Sequence, residues 1–136
     1  MKRYLLDTSA LLTLRDDEMG ANQVAELLGQ ARQHRVQCFA CFLTLMEIFY
    51  RVWRDEGEAE GRLAYEQCQA LPLNWIHEDK ELLEMAASIK ANYQVSLADA
   101  WIGAAAILQN AQLVHKDPEF EALDCDQLPL PYKGRQ

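Results

Sequence analysis

Long hydrophobic runs are missing from this chain. No uninterrupted apolar stretch approaches the ~18 residues that a bilayer-spanning helix needs, so the sequence predicts no membrane span. The apolar segment at the N-terminus meets an acid at Asp7, which makes it too short for a secretory signal, and we expect a cytoplasmic protein. Positive charge is also scarce, because 13 lysines and arginines face 21 aspartates and glutamates and leave a net charge of −8. Such a protein repels a polyanion unless a metal ion or a local basic patch intervenes.

The cysteines and histidines lack the spacing of a complete zinc site. Cys38 and Cys41 form one C-x-x-C pair, but no second pair of cysteines or histidines follows at ligand spacing. The apolar segment around them, residues 36–43, predicts a buried strand and its exit, where cysteine acts as a small hydrophobic residue. We therefore expect core cysteines and keep a metal or redox role for this pair as the alternative.

Internal repeats, low-complexity segments and linkers are absent too, so we expect one domain over residues 1–136. Apolar residues recur with helical spacing in several segments, and short apolar runs typical of strands lie between them. The predicted strands are residues 2–6, 36–40, 73–76, 112–115 and 125–130. The first predicted helix follows Asp7, with Thr8 or Ser9 as its cap, and the others span residues 22–33, 44–54, 59–68, 82–93 and 97–108.

Strands that alternate with helices predict an α/β fold, with a mainly parallel sheet covered by helices on both faces. Ligands of such sheets bind outside the carboxyl ends of the strands. Four acids from distant parts of the chain are expected at that edge. They are Asp7 at the end of the first strand, Glu47 and Asp99 in the first turns of two helices, and Asp117 just after the fourth strand.

Each of these acids also has a purely structural explanation. The T-x-x-E at 44–47 and the S-x-x-D at 96–99 fit capping boxes, Asp7 fits a plain N-cap, and Asp117 before proline is a common turn opener. Together at one edge, however, four carboxylates repel each other unless a cation lies among them. Oxygen ligands without histidine or thiolate select Mg²⁺ or Mn²⁺, which can bind a phosphodiester and activate water.

Five segments, taken in chain order, resemble the motifs of PIN-domain ribonucleases. They read L-L-D-T-S-A-L-L at 5–12, T-L-M-E-I at 44–48, S-L-A-D-A at 96–100, L-V-H-K-D-P-E-F at 113–120 and L-P-L-P-Y at 128–132. The match covers nearly the whole chain, and the ordered set is much more specific than any single motif. The small size, with no added domain, is most similar to VapC-type toxins of toxin–antitoxin pairs.

The resemblance implies a PIN fold with a five-stranded parallel sheet and Mg²⁺- or Mn²⁺-dependent cleavage of single-stranded RNA. It also implies a homodimer and a small antitoxin protein that covers the active-site groove. The family's acidic metal site falls on Asp7, Glu47, Asp99 and Asp117, and Ser9 falls at a nearby supporting position.

One position departs from the family pattern. The last motif commonly has threonine or serine two residues before its aspartate, and this chain has His115 there. A histidine at that place can bond a carboxylate or a bound water, and the alternative is a strand-end histidine bonded to backbone. Glu119 either supplements the acidic site or is a solvated loop acid.

Several basic residues are candidates for contact with RNA. Glu47, Arg51 and Arg54 lie at i, i+4 and i+7 of one predicted helix, so they share a face that can lead a strand away from the acids. The alternative is that both arginines pair with nearby surface acids. Arg15 and Lys116 are further candidate phosphate contacts.

Two other classes of function remain open. A phosphotransferase or phosphatase with Asp7 as its nucleophile usually has a second aspartate two residues later, where this chain has Ser9, and no glycine-rich phosphate loop is present. A binding module without catalysis is the other class, and the four intact acids argue against it. Among nucleases, a stand-alone RNA-processing enzyme without an antitoxin is the rival to the toxin.

Overall fold

A five-stranded parallel sheet forms the centre of the molecule, and the computed structural model describes residues 1–132. Its strands are β1 (Arg3–Leu6), β2 (Gln37–Cys41), β3 (Asn74–Ile76), β4 (Gln112–His115) and β5 (Gln127–Pro129). The order across the sheet is β3-β2-β1-β4-β5, and every neighbouring pair is parallel. The predicted α/β fold is confirmed, and so are the five parallel strands that the resemblance implies.

Helices cover both faces of this sheet. Within residues 1–132 they are α1 (Thr8–Arg15), α2 (Ala21–Arg32), α3 (Phe42–Glu56), α4 (Glu58–Gln69), α5 (Lys80–Asn92) and α6 (Leu97–Leu108). A 3₁₀ helix, Pro118–Ala122, lies between β4 and β5. In this described part of the chain, no helix combines the length and the apolar character needed to cross a bilayer.

Alternation along β1 divides the apolar side chains between two cores. Leu5 packs with Leu113 in the core beneath α5 and α6, whereas Leu6 packs with Val114 in the core beneath α1, α2, α3 and α4. All four of these side chains are fully buried. A central strand that is covered on both faces reads as an unbroken apolar run, as residues 4–6 do.

Several helix starts differ from the prediction by one or two residues, and those of α1 and α3 bear on the site. The N-cap of α1 is Asp7, as the structural alternative for that acid predicts, rather than Thr8 or Ser9, and its side chain accepts a hydrogen bond from Ala10 N. Helix α3 begins at Phe42, two residues before the predicted start, directly after the strand residue Cys41. The periodic pattern of α3 misses this first turn because Phe42 packs against the core beneath α5 and α6, on the other side of the sheet from Ile48.

The cysteines lie where a core role predicts them. Cys38, Cys41 and Cys68 are buried, and all four cysteines are free. Cys38 packs in one core and Cys41 in the other, so the C-x-x-C pair does not face a common site. Burial raises the pKa of both thiols to about 11, which keeps them protonated at neutral pH.

Candidate active site

Three carboxylates converge at the carboxyl edge of the sheet. Asp99, Asp117 and Glu119 each offer an oxygen, and these oxygens all lie within 4.8 Å of one another. Asp99 belongs to the first turn of α6, Asp117 follows β4, and Glu119 is in the 3₁₀ helix. The fold therefore brings together acids that are up to 20 residues apart in the sequence.

Local hydrogen bonds hold each of these acids in place. Ser96 caps α6, and its Oγ accepts from Asp99 N at 3.1 Å. The Asp117 carboxylate accepts from Glu119 N at 3.0 Å, which sets the start of the 3₁₀ helix. The predicted capping role of Ser96 and turn role of Asp117 are therefore present. They coexist with the carboxylate cluster, because the same bonds hold Asp99 and Asp117 close to each other.

Burial dominates the electrostatics of Asp99, which is only 8% exposed. The pKa of its carboxyl is raised to about 10, first by burial and then by hydrogen bonds to Glu119 and Asp117 and by the charges of these two residues. Without a cation, Asp99 therefore keeps a proton at neutral pH and shares it with its neighbours. Three carboxylates this close together need either that proton or a positive ion.

Asp7 lies beside this cluster, buried at the end of β1. Its carboxylate accepts from Ser9 Oγ at 2.7 and 2.8 Å and from Ala10 N at 2.8 Å. Burial raises the pKa of Asp7 to about 7; the bonds from Ser9 and Ala10 oppose that shift, and the charges of Asp117 and Glu47 add to it. Ser9 Oγ also accepts from Lys116 N at 2.8 Å, which ties the start of α1 to the chain leaving β4.

Glu47 is held beside Asp7 by the hydroxyl of Thr8, which also contacts the hydroxyl of Thr44. Thr8 Oγ1 donates to Glu47 Oε1 at 2.6 Å and lies 3.0 Å from the hydroxyl of Thr44, which is buried inside α3. The predicted capping box at 44–47 is wrong, because α3 is capped at Cys41 and position 44 is already inside the helix. Glu47 is oriented by Thr8 instead.

The predicted basic contacts all have acidic partners in the structure. Arg15 forms two bonds with Glu56, at 2.8 and 3.0 Å, and a third with Asp16. Arg54 pairs with Asp55 at 3.1 Å and Lys116 with Glu18 at 3.8 Å. Arg51 is different, because it pairs at 3.5 Å with Glu47 of the site itself. Burial alone would lower the pKa of Arg51, but Tyr50 and the charges of Glu47 and Asp99 raise it overall.

The site offers the donor set of a hard divalent cation. The three converging groups are all carboxylates, without a thiolate or an imidazole among them. Burial and the two neighbouring carboxylates raise the pKa of Asp99, and a bound cation would offset the repulsion among these carboxylates. The residues present therefore fit Mg²⁺ or Mn²⁺.

Sequence reasoning missed two contributors and undervalued a third. The sequence predicts no site role for Thr8 or Gln127 and only a supplementary one for Glu119, although Glu119 belongs to the cluster of converging carboxylates. The sequence does contain one signal for Glu119, because it lies only two residues after Asp117 and so belongs to the same turn. No local signal indicates Gln127, whose Oε1 lies 2.9 Å from Nε2 of the buried His115 because β4 and β5 are neighbouring strands.

Comparison with known proteins agrees with this architecture. The family model of the PIN domain matches residues 4–124, and the chain belongs to this family. No curated protein sequence matches the chain significantly.

Solved structures share the fold at low sequence identity. A toxin–antitoxin complex from Klebsiella pneumoniae is 22% identical with a TM-score of 0.63, over 89% of this chain and 92% of that one. VapBC2 from Rickettsia felis, bound to a DNA fragment from its promoter, is 15% identical with a TM-score of 0.76, over 95% and 99%. VapC20 from Mycobacterium tuberculosis, a sarcin-ricin loop cleaving toxin, is 16% identical with a TM-score of 0.72, over 93% and 98%.

Proposed function

We propose that this protein is an endoribonuclease that uses Mg²⁺ or Mn²⁺ to hydrolyse phosphodiester bonds of single-stranded RNA. The observation that carries this proposal is the cluster of Asp99, Asp117 and Glu119, with Asp7 buried beside it, at the ligand-binding edge of a PIN-domain sheet. We further propose that the enzyme is the toxin of a toxin–antitoxin pair.

The structural neighbours support the toxin assignment. One is described as a toxin–antitoxin complex and another as a toxin that cleaves the sarcin-ricin loop. By this analogy of fold, the partners of the present chain are an RNA substrate and a small antitoxin protein that silences the site.

The chemistry follows from the acids and from what surrounds them. Asp99, Asp117, Glu119 and Asp7 would hold the divalent ion. That ion supplies a more acidic bound water and positive charge for the phosphodiester. Glu47, held by Thr8, would add a further carboxylate near Asp7, whose pKa its charge helps to raise.

The basic side chains have graded roles in this proposal. Arg51 contacts Glu47 and is half-buried, so it is the guanidinium best placed to meet a phosphate at the site. Arg54 is exposed and lies over the Tyr50 ring at 5.6 Å, which suits a contact with the RNA strand beyond the cleavage position. Arg15 and Lys116 are proposed as outer phosphate contacts that exchange an acidic partner for RNA.

We also propose a homodimer, and exposed apolar side chains support it. Leu83 and Leu97 are 47% and 66% exposed and flank an apolar groove between α5 and α6, which Trp101 also lines. Trp53 on α3 is 46% exposed. Light scattering of the purified protein measures the mass, and a monomer at micromolar concentration would contradict this part of the proposal.

Cleavage of defined RNAs tests the enzymatic proposal. Purified protein is incubated with single-stranded and with structured RNA, with and without Mg²⁺ or Mn²⁺, beside an Asp7→Asn control. We expect the wild type to cleave the single-stranded RNA only when the metal is present. We expect no cleavage by the Asp7→Asn control. Equal cleavage by Asp7→Asn protein, free of contaminating nuclease, contradicts the mechanism.

Growth separates the toxin from a stand-alone RNA-processing nuclease. We expect expression of the wild type alone to slow growth, and co-expression of the small protein encoded next to it to restore growth. Normal growth under strong expression of active nuclease would favour the stand-alone enzyme.

A further inference from the structure

His115 is the one buried histidine in the described chain. It is the last residue of β4 and lies just before the turn that carries Asp117 and Glu119. It is fully buried, and its Nδ1 accepts a hydrogen bond from Asp117 N at 3.1 Å. Its Nε2 lies 2.9 Å from Gln127 Oε1, on the neighbouring strand β5. Both ring nitrogens therefore have partners.

The donors and acceptors of this contact define a single arrangement. A backbone N–H can only donate, so Nδ1 of His115 must be the unprotonated nitrogen and Nε2 carries the hydrogen. That hydrogen is donated to Gln127 Oε1, which leaves the amide nitrogen of Gln127 free to donate elsewhere.

Gln127 uses that nitrogen to hold the far side of the same turn. Its Nε2 donates to Phe120 O at 2.7 Å and to Leu123 O at 3.1 Å. These two carbonyls belong to the 3₁₀ helix and to the residue that follows it. The chain from Asp117 N through His115 and Gln127 thus closes around the segment that carries Asp117 and Glu119.

We propose that His115 and Gln127 form a positioning pair that fixes the Asp117–Glu119 turn in the geometry a divalent cation requires. His115 stands where the family motif commonly has threonine or serine, and Gln127 on β5 is its partner. The test by metal binding rests on the proposed function, whereas the tests on the metal-free protein do not.

A merely structural role is the alternative, since the His115 ring also lies 5.2 Å from the Phe120 ring. If packing were the only contribution, replacement of His115 would lower the melting temperature and weaken metal binding only in proportion. The positioning role instead requires that loss of the hydrogen-bond acceptor at Nδ1 weakens metal binding by itself, apart from any loss of ring volume.

The first test is made on the metal-free wild type by NMR. The nitrogen chemical shifts of the His115 imidazole should show the tautomer protonated at Nε2 at pH 8, and the Asp117 amide should be protected from hydrogen exchange. A tautomer protonated at Nδ1, or a rapidly exchanging Asp117 amide, overturns the proposal whether or not the protein cleaves RNA.

The second test compares two substitutions of His115. In His115→Asn the side-chain oxygen can take the place of Nδ1 and accept from Asp117 N, whereas His115→Leu has no acceptor. We expect Mn²⁺ affinity, measured by isothermal titration calorimetry, to fall ~10- to 100-fold in His115→Leu and much less in His115→Asn. Asp117 amide protection should follow the same order. Equal effects of the two substitutions would overturn the proposal.

Three further variants guard against loss of folding. Gln127→Leu alters a half-buried residue and leaves the histidine in place, and we expect it to weaken Mn²⁺ binding in the same direction. The double variant Gln127→Leu/His115→Leu should bind Mn²⁺ no more weakly than the single variant that binds it less well, because both substitutions break the same chain of hydrogen bonds. Val24→Ala, in the core on the other side of β1, is the stability control and should leave Mn²⁺ affinity unchanged. Additive losses, or an equal loss in Val24→Ala, would overturn the pair.

Discussion

Burial gives individual acids of this site properties that exposed acids do not have. Asp7 is 2% exposed, and its carboxyl pKa of about 7 lies well above the ordinary value of 3.8. A folded-state pKa above the unfolded one means that the native state binds the extra proton. The corresponding stability is fully present below the ordinary pKa and is lost as pH rises through the raised one.

A pH series on the metal-free protein tests this property of Asp7. We expect the melting temperature of the wild type to fall between pH 4 and pH 8 relative to that of Asp7→Asn, because only the wild type must bury a new charge. Asparagine keeps an acceptor for the helix cap, so the substitution removes the charge and not the cap. Parallel melting curves of the two proteins across this range would contradict the raised pKa.

Thr8 provides a second prediction at the scale of one residue. Thr8→Val removes the hydroxyl that donates to Glu47 at 2.6 Å and keeps the shape of the side chain. We expect RNA cleavage to fall about 10-fold or more, as is usual when an outer partner of a metal site is removed, and Thr8→Ser to retain most activity.

Thr13→Val is the matched control for that substitution. Thr13 is also fully buried in α1, but its hydroxyl has no hydrogen-bond partner among the described residues. Its replacement should leave cleavage unchanged and stability equal or higher. If both valine variants cleave RNA alike, Thr8 does not orient Glu47.

At the scale of elements, the close approach of α3 and α4 depends on Gly61. A Cβ added there would lie 2.8 Å from Trp53 Cβ and 2.9 Å from Phe49 O, and neither atom can rotate away. Helix α3 carries Glu47 and Arg51, so a shift of this helix pair also moves one side of the site.

Alanine substitutions at two helical glycines test this packing. Gly61→Ala should lower the free energy of unfolding by ~1–3 kcal/mol, because the helices must separate. Gly29→Ala in α2 meets nothing within 4 Å and should raise it by ~0.5–1 kcal/mol. Urea denaturation measures both values, and a neutral or stabilising Gly61→Ala would show that the α3–α4 contact is not tight.

At the scale of the whole molecule, the net charge of −8 and the acidic cluster act in the same direction. Both disfavour a polyanion and favour a divalent cation, so under the proposed function we expect metal binding to precede or accompany the binding of RNA. A cation that binds only the folded protein also stabilises it.

Thermal melts measure this coupling without RNA. At a hundredfold excess over its Kd, Mn²⁺ or Mg²⁺ should stabilise the fold by ~2.7 kcal/mol, or a rise of several degrees in Tm. Asp99→Asn should abolish most of this rise, since an amide cannot lose a proton to become an anionic ligand of the cation. Na⁺ at matched ionic strength is the control for screening, and an equal rise with Na⁺ would argue against a specific site.

The order of strands and helices was determined by the sequence alone, because it depends on local patterns. Apolar runs of residues 4–6 and 113–114 predict buried strands, and residues at helical spacing predict α2, α5 and α6 within a few positions. In a parallel sheet all strands end at one edge, so the placement of Asp7 and Asp117 at that edge followed directly. The start of α3 escaped this reasoning because its first turn packs against a different core from the rest of the helix.

Only the tertiary structure decided which side chains meet at that edge. Glu119 in the tightest cluster, Thr8 on Glu47 and Gln127 on His115 are contacts between side chains whose distances depend on helix placement and strand register. Arg15 is a candidate phosphate contact in the sequence and is bonded to Glu56, 41 residues later, in the fold. Periodicity reports which face a residue occupies, whereas the partner across that face is set by packing between segments that no local pattern connects.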